Sequence, residues 1–354
     1  MYYCVPWAQS KKRKKNCKQN KAKKEEKEHK ESNQTSKLLP LKILQKGVEI
    51  AEVDLSTLRM NFMDLCSATN HFNVNNAIGV GMSGIMYKAN LPNGWSLAVK
   101  RLYNSEFFQR QFNLEKSILV RPHRNIVPLL GFCVEKEERI LVYQFMPNGK
   151  LSDWLGEAVG LEWPVRARIA LGLVRSLSWL HHGLSFVHLS VSSECILLDQ
   201  NFEPKLSNFG EAKFMNQNTN DEQGFMKKDV YDFGIVLFEL ITGEIFSQKS
   251  DFFNNSESTF ATHTTNLLQS PFALSDTIDK CLIGNGFEGE IFSLLTIACD
   301  CVQSLPEERP TMPEIYNRMS NLWERHGQSE DSEMPKKSAI ASVGTRVDEI
   351  VELE

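Results

Sequence analysis

Three glycines stand first among the residues able to do chemistry: Gly79, Gly81 and Gly84, in the run Gly79-Val80-Gly81-Met82-Ser83-Gly84. Glycine lets a backbone come close to phosphate oxygens and bond them through N–H groups. Lys100, in Leu97-Ala98-Val99-Lys100, offers a cation to the same anion. Glu115 falls on a helical run, on the same face as Phe112 and Leu119, where it can pair with that lysine. A buried lysine is costly unless paired. The glycine spacing alone is weak. A dinucleotide-binding reading needs a helix directly after it, and here a hairpin strand follows. A glycine loop covering phosphates and a glycine-rich hairpin without a ligand both stay open.

The elements that must hold these residues follow from pattern. Apolar spacing predicts a helix within Thr57–Thr69. Strands are expected at Ala77–Val80, Gly84–Leu91 and Trp95–Leu102, with Asn93-Gly94 as a hairpin turn. An amphipathic helix is expected over Phe107–Val120, then strands at Asn125–Val134 and Arg139–Phe145. Beyond Asn148 the pattern becomes mainly helical, most clearly at Trp163–His181, Asp229–Thr242 and Phe287–Ser304. Five strands and one helix followed by helices make an α+β pattern.

Composition narrows the class. The 354 residues carry a net charge of −4, with 42% hydrophobic and 24% charged residues, which suits a globular protein. The eight cysteines show no disulfide framework. Cys299 and Cys301 lack partners at zinc spacing, so no metal site is expected. Residues 1–10 form an apolar and aromatic stub, and residues 11–55 a lysine-rich linker beginning Lys11-Lys12-Arg13-Lys14-Lys15. An apolar stub before a basic cluster resembles the cytoplasmic exit of a membrane helix. The block from Lys11 to Lys24 is expected either to be a solvated tether or to attract anionic lipid. Nucleic-acid binding is not expected, because no aromatics interleave the basic residues. Residues 327–354 read as a disordered acidic tail.

Several runs together carry a family resemblance. They are Asp64-Leu65-Cys66-Ser67-Ala68-Thr69-Asn70-His71-Phe72, His123-Arg124-Asn125-Ile126-Val127-Pro128-Leu129-Leu130-Gly131-Phe132-Cys133 and Leu141-Val142-Tyr143-Gln144-Phe145-Met146-Pro147-Asn148-Gly149. Asp229-Val230-Tyr231-Asp232-Phe233-Gly234 and Cys301-Val302-Gln303-Ser304-Leu305-Pro306-Glu307-Glu308-Arg309-Pro310 belong with them. From about Thr57 to Trp323 the chain resembles the cytoplasmic kinase domain of plant leucine-rich-repeat receptor-like kinases, of the pseudokinase type that binds shared co-receptor kinases. The resemblance implies a bilobal protein-kinase-like fold. Residues 56–147 would form an N-lobe with a five-stranded antiparallel sheet and one helix, and residues 148–326 a mainly helical C-lobe.

By the same resemblance, a nucleotide would meet Gly79, Gly81, Gly84, Ala98, Lys100, Glu115, Tyr143, Phe145 and Leu197. Ser190 stands at the catalytic aspartate, Ser192 at the phosphate-facing lysine, Cys195 at the metal-binding asparagine and Asn208 at the metal-binding aspartate of the family pattern. No catalytic residue is therefore expected. Leu119, Leu129, His188 and Phe209 match a stack joining the lobes, with Asp229 as its base. Leu189 replaces the arginine that would receive a loop phosphate. The short segment after Gly210 shows no Ala-Pro-Glu, which leaves Arg309 to find another partner or face solvent.

The implied function is a binding or regulatory module for active receptor-like kinases or co-receptors, at the cytoplasmic face of the plasma membrane. No cofactor would be required: any ATP binding would be weak, and magnesium is not expected. The alternatives are a weak or atypical ATP-dependent serine/threonine kinase and a gene fragment without function.

Overall fold

The structure, a computed structural model, describes residues 58–91, 94–155, 160–215, 221–246 and 277–325. The stub, the basic linker and the tail after residue 326 lie outside the described residues.

The first element is a short helix, α1 (Phe62–Ala68), capped by Asn61, whose side chain accepts from Met63 N–H. The sequence pattern suggested a longer helix. Instead Arg59 forms a parallel bridge with Phe132, and Met60 N–H donates to Phe132 O at 2.8 Å, so the lead-in runs along a sheet edge.

The sheet consists of β1 (Ala77–Val80), β2 (Gly84–Asn90), β3 (Ser96–Leu102), β4 (Leu129–Glu135) and β5 (Glu138–Gln144). Its order is β1-β2-β3-β5-β4, and every pairing is antiparallel. Register between β2 and β3 runs from Gly84↔Leu102 to Asn90↔Ser96 and places Met86 opposite Lys100. Gly94 turns this hairpin at φ 84°, a conformation glycine adopts without penalty.

Helix α2 (Glu106–Leu119) crosses the sheet. Ser105 caps it by accepting from Phe108 N–H, and Phe112, Glu115, Ile118 and Leu119 form its buried face. The apolar run before β4 reads as one long strand from Asn125, but the strand begins only at Leu129. Pro128 has no N–H to give a ladder. Ile126 and Val127 are buried against the second half of the molecule instead. Val127 N–H donates to Leu206 O at 2.9 Å, and Leu206 N–H to Asn125 O at 2.8 Å.

The second half is built on α3 (Trp163–Ser178), α4 (Asp221–Thr242), α5 (Glu288–Cys301) and α6 (Met312–Arg325). Helix α3 packs against α4 and α6, and α4 against α5. Arg166, fully buried on α3, donates to Leu161 O and Leu240 O and pairs with Asp279 at 2.6 Å. One guanidinium thus satisfies three acceptors from separate segments, two of them buried carbonyls. After Ser178 the helix widens into a π turn over Trp179–Leu184, closed by Ser185 at φ 58°. Short strands follow: β6 (Phe186–Val187), β7 (Ile196–Leu198), β8 (Pro204–Leu206) and β9 (Lys213–Phe214). They pair as β6 with β9 and β7 with β8. Their loops carry Ser190, Ser192, Cys195 and Asn208. A single buried cluster runs from Phe112 and Leu119 through Leu206 and Phe209 into the helices.

Candidate functional site

The upper wall is the β1–β2 turn. Gly81 N–H donates to Gly84 O at 2.9 Å, and Ser83 O accepts from Tyr103 N–H at 3.0 Å. Gly84 is required by packing, since an added Cβ would lie 2.2 Å from Arg101 O. Gly79 and Gly81 differ. The nearest atoms to a Cβ there are 3.9 and 3.8 Å away, and neither residue has a positive φ. Nothing among the described residues demands glycine at those two positions, whereas close approach of an external group would. Ala98, Phe145 and Leu197 are half-buried around the cleft, and Lys88 lies over the Phe145 ring at 4.4 Å.

Lys100 and Glu115 meet. Lys100 Nζ lies 2.7 Å from Glu115 Oε2, with both residues buried. The other oxygen, Oε1, accepts from the Tyr143 hydroxyl at 2.6 Å. Burial pushes the Tyr143 phenol well above its ordinary range, and the neighbouring Glu115 charge adds to this. Tyr143 therefore stays a donor, with its hydroxyl committed to Glu115. The carboxylate has a partner on each oxygen, which offsets the cost of burying the ion pair.

Across the cleft, Leu119, Leu129, His188 and Phe209 are all buried, and the His188 and Phe209 rings meet edge-on at 4.9 Å between centroids. Asp229, fully buried on α4, accepts from His188 N–H and Leu189 N–H at 2.7 Å each, and from His181 Nε2 at 2.8 Å. These bonds hold Leu189 at φ 63°, a left-handed conformation costing a branched residue about 1–2 kcal/mol. Burial alone would raise the Asp229 carboxyl. The hydrogen bonds from His181 and from the His188 backbone N–H outweigh burial and hold it below the usual carboxylate range. His188 Nε2 donates to Ser207 O at 2.9 Å, and its Nδ1 accepts from Ser190 N–H at 3.3 Å. One nitrogen gives and the other accepts, so the imidazole is neutral. Burial lowers its pKa, against the pull of Asp229.

The neutral polar residues come together on the floor. Cys195 Sγ accepts from Ser192 Oγ at 3.3 Å and from Asn208 Nδ2 at 3.4 Å. Ser190 Oγ donates to Asn208 O at a long 3.4 Å. Asn208 sits at φ 65°, which asparagine tolerates. Its carboxamide nitrogen faces the sulfur, so Asn208 offers this corner a donor. A thiol, two hydroxyls and a carboxamide do not fit a hard dication, which favours carboxylate and carbonyl oxygen. Among the described residues, no group of three His, Cys, Asp or Glu side chains is placed to hold a metal.

Two features escaped sequence reading. Gln111 Nε2 donates to Gly210 O at 2.6 Å, tying α2 to the loop that presents Phe209. Gln111 lies one turn before Glu115, so its position on the cleft side of the helix was legible, but its partner was not. The second is the start of α4 at Asp221, eight residues before Asp229. This added length reaches Arg309, which had been left open to a new partner or to solvent. Arg309 is buried, donating to Gln303 O at 2.8 Å and Lys227 O at 3.1 Å, and its guanidinium lies 4.7 Å from the Tyr231 ring centroid. Lys227 Nζ donates back to Arg309 O.

A five-stranded antiparallel sheet with one crossing helix, a helical second half and a Lys–Glu pair facing a loop on an aspartate-anchored helix define a protein kinase domain. Residues 72–319 match the protein tyrosine and serine/threonine kinase family, and the chain belongs to that family. Within it, the chain is similar to plant leucine-rich-repeat receptor-like kinases. It is 37% identical over 330 residues, 82% of this chain and 53% of the relative, to a leucine-rich repeat receptor-like kinase of Arabidopsis thaliana named as a probable inactive one. Identity is 35% over 320 residues, 83% of this chain and 52% of the relative, to a probable LRR receptor-like serine/threonine-protein kinase of the same plant. It is also 35% over 331 residues, 85% and 52% of the two chains, to the inactive LRR receptor-like serine/threonine-protein kinase BIR2. The chain spans about half the length of these relatives. Among the described residues, no helix is long and apolar enough to cross a membrane.

Proposed function

We propose that the chain is a receptor-like pseudokinase domain: a kinase fold that does not transfer phosphoryl groups and serves as a binding or regulatory module for active receptor kinases. The observation that carries this reading is the Cys195 corner. Its sulfur accepts from Ser192 and Asn208, where catalysis would need charged oxygen and a cation. Phosphoryl transfer depends almost wholly on positioning and on stabilising charge around magnesium and the γ-phosphate. All four replaced positions act on that one step, and losses at cooperating residues do not simply add. The inter-lobe stack persists, which a binding module needs even without catalysis. The names of two of the relatives, as inactive kinases, agree with this reading.

The proposed setting is the cytoplasmic face of the plasma membrane, with active receptor-like kinases or co-receptors as partners and the Lys11–Lys24 block against anionic lipid. ATP would bind weakly, without magnesium.

A weak or atypical kinase is the second reading. It draws on the intact 2.7 Å Lys100–Glu115 pair and on Gly79 and Gly81, whose glycines the chain's own packing does not require.

One assay separates the two. Purified protein is incubated with labelled ATP and either magnesium or manganese. The pseudokinase reading expects neither autophosphorylation nor labelling of a generic substrate. Activity that disappears in Lys100→Met would overturn it. Co-purification of an active receptor kinase from plasma-membrane extract, dependent on the folded domain, is the positive expectation.

A further inference from the structure

One opening on the described surface lies outside the cleft. It is a groove of about 360 Å³ between α5 and α6, floored by Phe292, Ile297 and Leu322 and edged by Thr296, Arg318 and Asn321. Phe292 is 50% exposed there, an aromatic ring with one side in water. Arg318 pairs with Asp300 at 2.8 Å beside the groove, so both signs of charge stand at its edge.

We infer that this groove receives the chain's own C-terminal segment, residues 343–354. The segment reads Val343-Gly344-Thr345-Arg346-Val347-Asp348-Glu349-Ile350-Val351-Glu352-Leu353-Glu354. Val343, Val347, Ile350 and Val351 recur at i, i+4, i+7 and i+8, the spacing of one helical face. Asp348, Glu349 and Glu352 fall on the opposite face. Arg346 and Glu354 flank or join the apolar face, one of each sign to meet Asp300 and Arg318. An isolated helix this short is marginal in water, so the stripe needs a surface to fold against.

The connection makes a weak contact sufficient. The tail leaves α6 at Arg325, on the same helix that supplies Leu322 and Arg318. Residues 326–342 link the two parts, and a flexible chain of that length spans about 20–25 Å root-mean-square. The groove lies within that reach, about 10 Å along α6 from its end. Tethering at such range gives an effective concentration on the order of millimolar. An intrinsic affinity in that range half-fills the groove. A protein partner that uses the α5–α6 face must then displace the tail, which makes the tail a built-in competitor.

The test compares the full chain with a version ending at Ser342. A fluorescent peptide of residues 343–354 is titrated into each, up to millimolar concentration. The expected result is saturable binding to the shortened chain, about twofold weaker apparent binding to the full chain, as a half-filled groove requires, and loss of binding in the shortened chain carrying Phe292→Ala. Phe292 is half-exposed, so that variant keeps the fold, which its thermal transition verifies. Hydrogen exchange across 289–301 and 316–325 is expected to be faster in the shortened chain and in full-length Val347→Lys with Ile350→Lys. No binding to the shortened chain, or equal binding to both, overturns the proposal. A full-length dimer that dissociates on removal of 343–354 also overturns it, because the groove then takes the tail of a second copy.

Discussion

Phe209 and Lys100 show how differently two buried side chains are held. Phe209 is fully buried with its ring edge against His188, and no water can replace it. Phe209→Ala is expected to cost about 3–5 kcal/mol, the sum of lost transfer energy and an unfilled cavity. Urea denaturation reads this directly. Lys100→Met removes one partner of a buried ion pair, but the Tyr143 hydroxyl still binds Glu115. The loss should therefore fall short of the about 3–5 kcal/mol typical of an orphaned buried charge. Adding Tyr143→Phe strips the second partner, and the two substitutions together should cost more than their sum. Strict additivity in a double-mutant cycle would show that Tyr143 does not support Glu115. If binding to a partner kinase rests on lobe packing, Phe209→Ala should abolish it and Lys100→Met should spare it, both measured where the variants are folded.

At the scale of elements, legibility tracks local pattern. The strands β1, β2, β3 and β5 stand within about a residue of where alternation and the turn at Gly94 put them, because half-buried antiparallel strands write their burial into sequence. Ile126 and Val127 misled, since an apolar run looks the same whether it joins a sheet or packs against another lobe. Trp179–His181 read as the end of a regular helix, because local apolar spacing does not separate an α turn from the π turn that runs there over Trp179–Leu184. The first part of α4 was illegible for the opposite reason. Asp221-Glu222-Gln223-Gly224 has no apolar period, and the helix is set by tertiary contact with Arg309 through Lys227. The four site replacements were plain in sequence, whereas the hydrogen bonds that Cys195 accepts required coordinates.

That added length of α4 leads to a prediction about chemistry. In the family pattern, the segment before this helix docks substrate. Here residues 221–228 are already helical and lead into Asp229 without a break. Restoring carboxylates through Ser190→Asp with Asn208→Asp should therefore leave phosphoryl transfer undetectable, even though the cleft regains charged oxygen. Robust labelling of a generic substrate by the double variant would show that the helical segment is no obstacle. Arg309→Ala, by contrast, should act on stability alone. It leaves the carbonyls of Gln303 and Lys227 without their donor, at about 1–3 kcal/mol for each buried group that water does not reach.

For the whole molecule, pH reports how the parts are tied. Two histidines are held neutral by their surroundings. Burial lowers the His188 pKa, and burial with Arg124, Lys205 and Arg175 lowers that of His123 to about 4. Each has a folded pKa below its ordinary value of about 6.5, so the unfolded chain takes up the proton first. Their contribution is therefore whole above about pH 6.5 and is lost progressively as pH falls, for His123 down to about pH 4. Asp229 has the same sign in a lower window. Its folded pKa lies below 3.8, so its contribution is complete above that value and disappears as pH falls beneath it. Thermal transitions should accordingly decline in two stages: a first between about pH 6.5 and 4 from the histidines, and a steeper one in stronger acid as the Asp229 anchor is protonated. His123 stacks on Trp179 at 5.0 Å between centroids, so His123→Phe keeps an aromatic ring there without a titrating group. That variant should flatten the first stage and leave the second unchanged. An unaltered first stage in His123→Phe would assign the whole of it to His188 or to groups beyond the two histidines.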